Sequence, residues 1–142
     1  MTFLDQACLD MPSRESPGGM PAGRLRSRAL APSRAVRFCR LAEVAVAATF
    51  SVPLGEVRAA TRCRADAAFA RQVMMYLAHT VLGLTHSAVG GLVRRDRTTV
   101  AHACRLVEGR RDDPATDRII DVLECVCAEI ALGLRTPPRG RR

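Results

Sequence analysis

The chain has 142 residues, a net charge of +8 and a sequence pI near 10.4, which suits one domain with tails and is too short for two sizeable cores. All 22 basic residues are Arg. The lack of Lys excludes a P-loop ATPase, whose Lys holds the phosphates, and any Schiff-base reaction run by a lysine of this chain. Aromatics make up only 4% and Trp is absent, so a core of Ala, Val, Leu, Ile and Met is expected, which suits packed helices.

No 18-residue apolar run predicts a membrane span. Met1 to Asp10 carries Asp5 and Asp10 without a basic residue, unlike the start of a secretory signal. The six cysteines (Cys8, Cys39, Cys63, Cys104, Cys125 and Cys127) form no Cys-x-x-Cys pair and read as small apolar residues of a reducing cytosol rather than zinc ligands. Residues 14–40 hold seven Arg against Glu15, among Pro17, Gly18, Gly19, Pro21, Gly23 and Pro32. That composition predicts a disordered basic arm over 1–34, suited to phosphate contact. A folded domain is expected over 35–134 and a second basic tail over 135–142, which carries Arg135, Arg139, Arg141 and Arg142.

The folded part reads as all-α, with about six helices and no competing strand pattern. Ser33 can cap a helix from about Ala35 to Phe50, with Phe38, Leu41, Ala45 and Val46 on its buried face. Ser51-Val52-Pro53 ends it, a short helix follows to about Ala60, and Thr61-Arg62-Cys63-Arg64 is a basic connector. The strongest periodic segment runs from Asp66 to Leu82 with Phe69, Val73, Leu77 and Thr80 on one face and Arg71 pointing away; Gly83 stops it. Thr85-His86-Ser87 is a cap cluster for a short helix ending near Leu92 or Val93. After the Val93-Arg94-Arg95 turn, Asp96 can cap a longer helix to about Arg110. There Val100, Ala103, Cys104 and Val107 point inward, while Thr98, Ala101, His102 and Arg105 form an outer face free of acids. Asp113-Pro114 restarts the chain with a cap followed by Pro at the first helical position. Ile119, Val122, Leu123, Val126 and Ile130 form the stripe of the last helix, which Gly133 ends, and no heptad or large leftover apolar face demands a dimer.

A short helix, a tight turn and a longer helix make a helix-turn-helix pattern. Arg97-Thr98-Thr99 gives the second helix a small polar first turn. Its open N–H groups can bind phosphate, Arg can read guanine through two hydrogen bonds, and Thr can offer its methyl to thymine. No nucleophile–base–acid set stands out, and His79 and His86 lack partners at metal spacing. Neither enzyme, cofactor nor metal site is therefore expected.

Ala70-Arg71-Gln72-Val73-Met74-Met75-Tyr76-Leu77, followed by Arg95-Asp96-Arg97-Thr98-Thr99-Val100-Ala101-His102-Ala103, resembles the C-terminal DNA-binding domain of the bacterial replication initiator DnaA. The likeness covers about 35–111. Two departures lie at the reading edge: Arg97 stands where the family has His, and the turn is one residue shorter than the family's and lacks its glycines. No ATPase module accompanies the domain, so the chain reads as free-standing. The resemblance implies double-stranded DNA as partner. It implies base contacts by Arg71 in the minor groove and by Asp96, Arg97, Thr98 and Thr99 in the major groove. Thr85, His86, Ser87 and Arg95 then sit where the family grips phosphates, with His102 near the backbone; Arg94 on the turn and Arg105 on the outer face complete that set. The expected role is a cytoplasmic, nucleoid-associated, sequence-specific transcriptional regulator, in which the acidic last helix docks RNA polymerase or another regulatory protein. The alternatives are a replication or nucleoid factor competing for initiator-type sites, and a helical adaptor working through that acidic helix.

Overall fold

The computed structural model describes residues 30–59 and 64–136. The basic arm up to residue 29, the connector residues 61–63 and the tail from 137 lie outside the described residues, as do Cys8 and Cys63. Among the described residues six helices follow one another: α1 (Pro32–Thr49), α2 (Leu54–Arg58), α3 (Ala65–Leu82), α4 (His86–Val93), α5 (Arg97–Arg110) and α6 (Pro114–Arg135). The fold is all-α, as the composition and periodicity predict.

α3 is the central element. It packs against α1, α2, α4, α5 and α6, and this is why its buried residues run round the helix instead of along one stripe. Ala67, Ala70, Val73, Met74, Met75, Tyr76, Leu77 and Ala78 are all buried, whereas Thr80, expected on the buried face, is exposed. Small residues let neighbours approach from several sides, and the two Met side chains fill the irregular gaps. Phe50 at the end of α1 meets Phe69 edge-to-face at 5.5 Å, and the Arg110 guanidinium lies over the other ring at 4.5 Å.

Several boundaries and faces differ from the sequence reading. α1 starts at Pro32, three residues early, because Pro is itself a good first helical residue; Ala31, not Ser33, takes the cap position. α2 stops at Arg58. α6 runs through Gly133 to Arg135, since Leu134 still packs on the core and rewards one more turn. On α1 the buried face is Ala35, Phe38, Cys39, Ala42 and Val46, and Leu41 is exposed. On α6 the buried set is Ile120, Leu123, Cys127 and Ala131, so Ile119, Val122 and Val126 face outward. The inward set of α5 and the left-handed Gly83 cap are as expected.

The α5–α6 corner is fastened by Arg111. Its guanidinium donates to Asp117 at 2.7 Å and to the Tyr76 hydroxyl at 3.1 Å, pairs with Glu124 at 3.2 Å, and also binds Asp121. Desolvation alone would lower its pKa, but the bonds to Asp117, Glu124 and Tyr76 outweigh it and raise the pKa above the ordinary arginine value. Half of the six acids of 112–132 are therefore spent inside the protein. Of the described cysteines, Cys39, Cys104 and Cys127 are buried, and burial pushes their thiols up to about 11, so they stay protonated at neutral pH. Cys125 is exposed. Among the described residues no helix is long and apolar enough to cross a membrane.

Candidate nucleic-acid interface

The helix-turn-helix begins at Thr85, whose hydroxyl accepts from the Ala88 N–H at 3.2 Å and so caps α4. His86, the first residue of α4, lies against His79 with ring centroids 4.4 Å apart. His79 in turn donates from Nδ1 to the Leu84 carbonyl at 2.6 Å, which fixes the pair beside the start of α4. Ser87 is exposed on the same turn.

The turn into α5 is short for a reason found in α4. Gly90 is buried, and its carbonyl accepts from the Arg95 N–H at 3.0 Å. A Cβ at Gly90 would collide with the Arg95 carbonyl oxygen. The missing side chain lets the turn fold back over the helix. Arg94 then takes the left-handed conformation, φ 55° and ψ 51°, that glycine usually supplies. The glycine a tight turn needs thus stands inside the preceding helix and not in the turn.

α5 opens with its polar turn toward solvent. Asp96, Arg97, Thr98 and Thr99 are all exposed. Asp96 has the extended backbone of a cap residue, but its carboxylate accepts no cap hydrogen bond, contrary to the expected capping role. Among the described residues, no hydrogen bond or ion pair engages the side chains of Asp96 or Arg97, nor those of Arg94 and Arg105. Arg97 and Asp96 are therefore not each other's partner. The N–H groups of the first turn stay open, at the positive end of the helix dipole.

The other two arginines of the set are held. Arg71 is half-buried and donates from Nε to the Val57 carbonyl at 3.0 Å and from Nη2 to the Glu56 carbonyl at 2.9 Å. Arg95 donates to the Ala59 carbonyl at 2.8 Å. Together they satisfy carbonyls at the end of α2 that a five-residue helix leaves unpaired. Arg71 does not point away into solvent as its helix position suggests, because α2 lies across it.

These residues still converge. Arg71, Gln72, Arg95, Thr99 and His102 line one groove between α3 and α5. Arg94, Arg95, Asp96 and Thr99 line a shallow depression beside it. Gln72 was not among the site residues expected from sequence, although it stands in the Ala-Arg-Gln string that led there. Thr85, His86 and Ser87 stand at the start of α4, and Arg105 on the exposed outer side of α5.

Residues 43–107 match the family model described as the bacterial DnaA protein helix-turn-helix. This segment resembles the DnaA DNA-binding domain. The DnaA-like match runs from the second half of α1 into the last turn of α5 and so holds every base-contact and phosphate-contact candidate. It supports DNA binding, with double-stranded DNA as the partner. No curated protein is similar enough to the chain to stand as a relative.

Proposed function

We propose that the protein is a sequence-specific regulator of transcription that lays α5 into the major groove of double-stranded DNA. One observation carries this reading. The polar side chains at the start of α5 are exposed and Asp96 and Arg97 have no partner within the described residues, whereas Arg71 and Arg95 nearby and Arg111 at the far end of α5 are all occupied. An arginine without a protein acceptor is offered to something outside.

Arg97 carries the specificity. Its planar fork matches the O6 and N7 acceptors of guanine and has no acceptor for adenine N6 or cytosine N4. Thr98 and Thr99 bring methyl groups and hydroxyls to neighbouring bases, and Asp96 is an acceptor fit for cytosine N4. Thr85, His86, Ser87, Arg94, Arg95, His102 and Arg105 grip phosphates and set the register. Arg71 reaches the minor groove by exchanging the carbonyls of Glu56 and Val57 for adenine N3 and thymine O2, acceptors of the same kind. The protein works in the cytoplasm, on the nucleoid, and needs no cofactor.

The engagement of Asp117, Asp121 and Glu124 by Arg111 disfavours an adaptor that docks partners through the acids of α6. Genome-wide occupancy separates a regulator from a replication or nucleoid factor: promoters support regulation, while the origin or an even spread overturns it. Selection from a random DNA library tests the reading head. Wild type should show guanine at one position, and Arg97→His should relax or shift that position alone, at a cost of about 1–3 kcal/mol on the preferred site. Identical motifs from the two proteins would refute base reading by Arg97.

A further inference from the structure

α6 packs on α1 and α3 and leaves a second apolar stripe uncovered. Ile119 is 38% exposed, Val122 58% and Val126 42%. Ile119, Val122 and Val126 follow one another at spacings of three and four, a short apolar stripe with Arg118 at its start and Glu129 just past its end. α1 extends the patch. Arg34 reaches the Arg135 carbonyl at the far end of α6, and Leu41, seven residues further along the same side of α1, is 45% exposed.

We infer that this face binds a second copy of the chain, with the two α6 helices packed antiparallel about a two-fold axis near residue 124. The charges choose both the partner and the direction. Arg118 and Glu129 flank the stripe, both exposed and without a partner among the described residues. In a parallel pair each would stand level with its own copy and meet no opposite charge. In an antiparallel pair centred at 124, Arg118 lies about 9 Å to one side and Glu129 of the other copy about 7.5 Å along the same direction, at 1.5 Å per residue. The difference is one residue's rise, well within the reach of an arginine. The same centre sets Val122 against Val126 of the other copy. Antiparallel α6 helices also oppose their dipoles. The surface is self-complementary, as a two-fold interface must be. It uses neither α4 nor α5, so the dimer carries two reading heads and its operator is a two-fold repeat.

Sedimentation equilibrium of the full chain without DNA tests this apart from the DNA reading. Wild type should self-associate to a dimer, and Val122→Glu should raise the dimer dissociation constant at least about tenfold. Arg118→Glu and Glu129→Arg should each weaken the dimer, and the double variant should restore it. A chain monomeric at every concentration, its face left to another occupant, overturns the inference. So does a dimer indifferent to Val122→Glu. A double variant no tighter than either single one overturns the antiparallel register.

Discussion

Two clusters of arginine sit at opposite ends of α5 and show how one residue type takes on different work. At the C-terminal end Arg111 has four partners and is only 20% exposed; it is a fastener between α5, α3 and α6. At the N-terminal end Arg97 and Arg94 have none among the described residues and stand in solvent. Arg71 and Arg95 lie between these extremes, bound to backbone carbonyls yet lining the groove beside Thr99 and His102. In a chain whose basic residues are all Arg, charge alone says little about function. The partner a guanidinium has already found says more.

Breaking the fastener should have the largest effect on stability. Arg111→Ala leaves Asp117, Asp121 and Glu124 close together without their cation. Removal of one partner from a buried pair costs about 3–5 kcal/mol, and partial exposure here, 30–37% for the three acids, brings the expected loss to about 2–3 kcal/mol. Urea denaturation measures it. Affinity of the folded variant for DNA should change little, because no partner of Arg111 faces the groove; a large loss of affinity at full folding would erase the contrast between the two ends.

The turn comes next. Gly90→Ala gains about 1 kcal/mol of helix propensity but drives a methyl into the Arg95 carbonyl, so a net loss of about 1–3 kcal/mol is expected, together with weakened DNA binding as α5 tilts away from α4. Gly91 is the control. A Cβ there meets nothing within 4 Å, so Gly91→Ala should raise the melting temperature. If both substitutions stabilise, Gly90 does not set the turn.

What the sequence disclosed follows the range of the interactions. The Thr85 and Asp113 caps, the Gly83 stop and the inward residues Val100, Ala103, Cys104 and Val107 depend on neighbours within a few positions, and these were legible. The α6 face was not. Apolar residues cover about half of that helix, and Cys127 and Ala131 weigh less than Val122 and Val126 on any hydrophobic count, so the stripe points to the wrong side. The anchoring of Arg71 and Arg95 is hidden from the sequence for a related reason. Arg71 and Arg95 find acceptors 14 and 36 residues away, on a short helix whose unpaired carbonyls become visible only once the chain is folded.

Arg71 should therefore show two effects where a surface arginine shows one. Arg71→Ala removes two charge-assisted hydrogen bonds to carbonyls, at about 1–2 kcal/mol of stability, and should also weaken binding to the preferred site by about 1–3 kcal/mol. Melts and anisotropy titrations on the same protein separate the two. A stability loss with unchanged affinity would make Arg71 a fastener like Arg111.

Asp96 offers the smallest and most discriminating change in stability. An Asp at an N-cap normally loses about 1 kcal/mol on replacement by Ala, because its carboxylate accepts a first-turn N–H. Asp96 has the extended backbone of that position, φ −66° and ψ 148°, but accepts nothing. What remains is the attraction of its charge to the helix dipole, about 0.3 kcal/mol at an exposed site and screened by salt. Asp96→Ala should thus leave the denaturation midpoint almost unmoved. Its effect should appear in selection from random DNA, as a loosened preference at the position next to the one read by Arg97. A full cap's loss of stability with an unaltered motif would assign Asp96 to holding the helix, and the reading edge would then begin at Arg97.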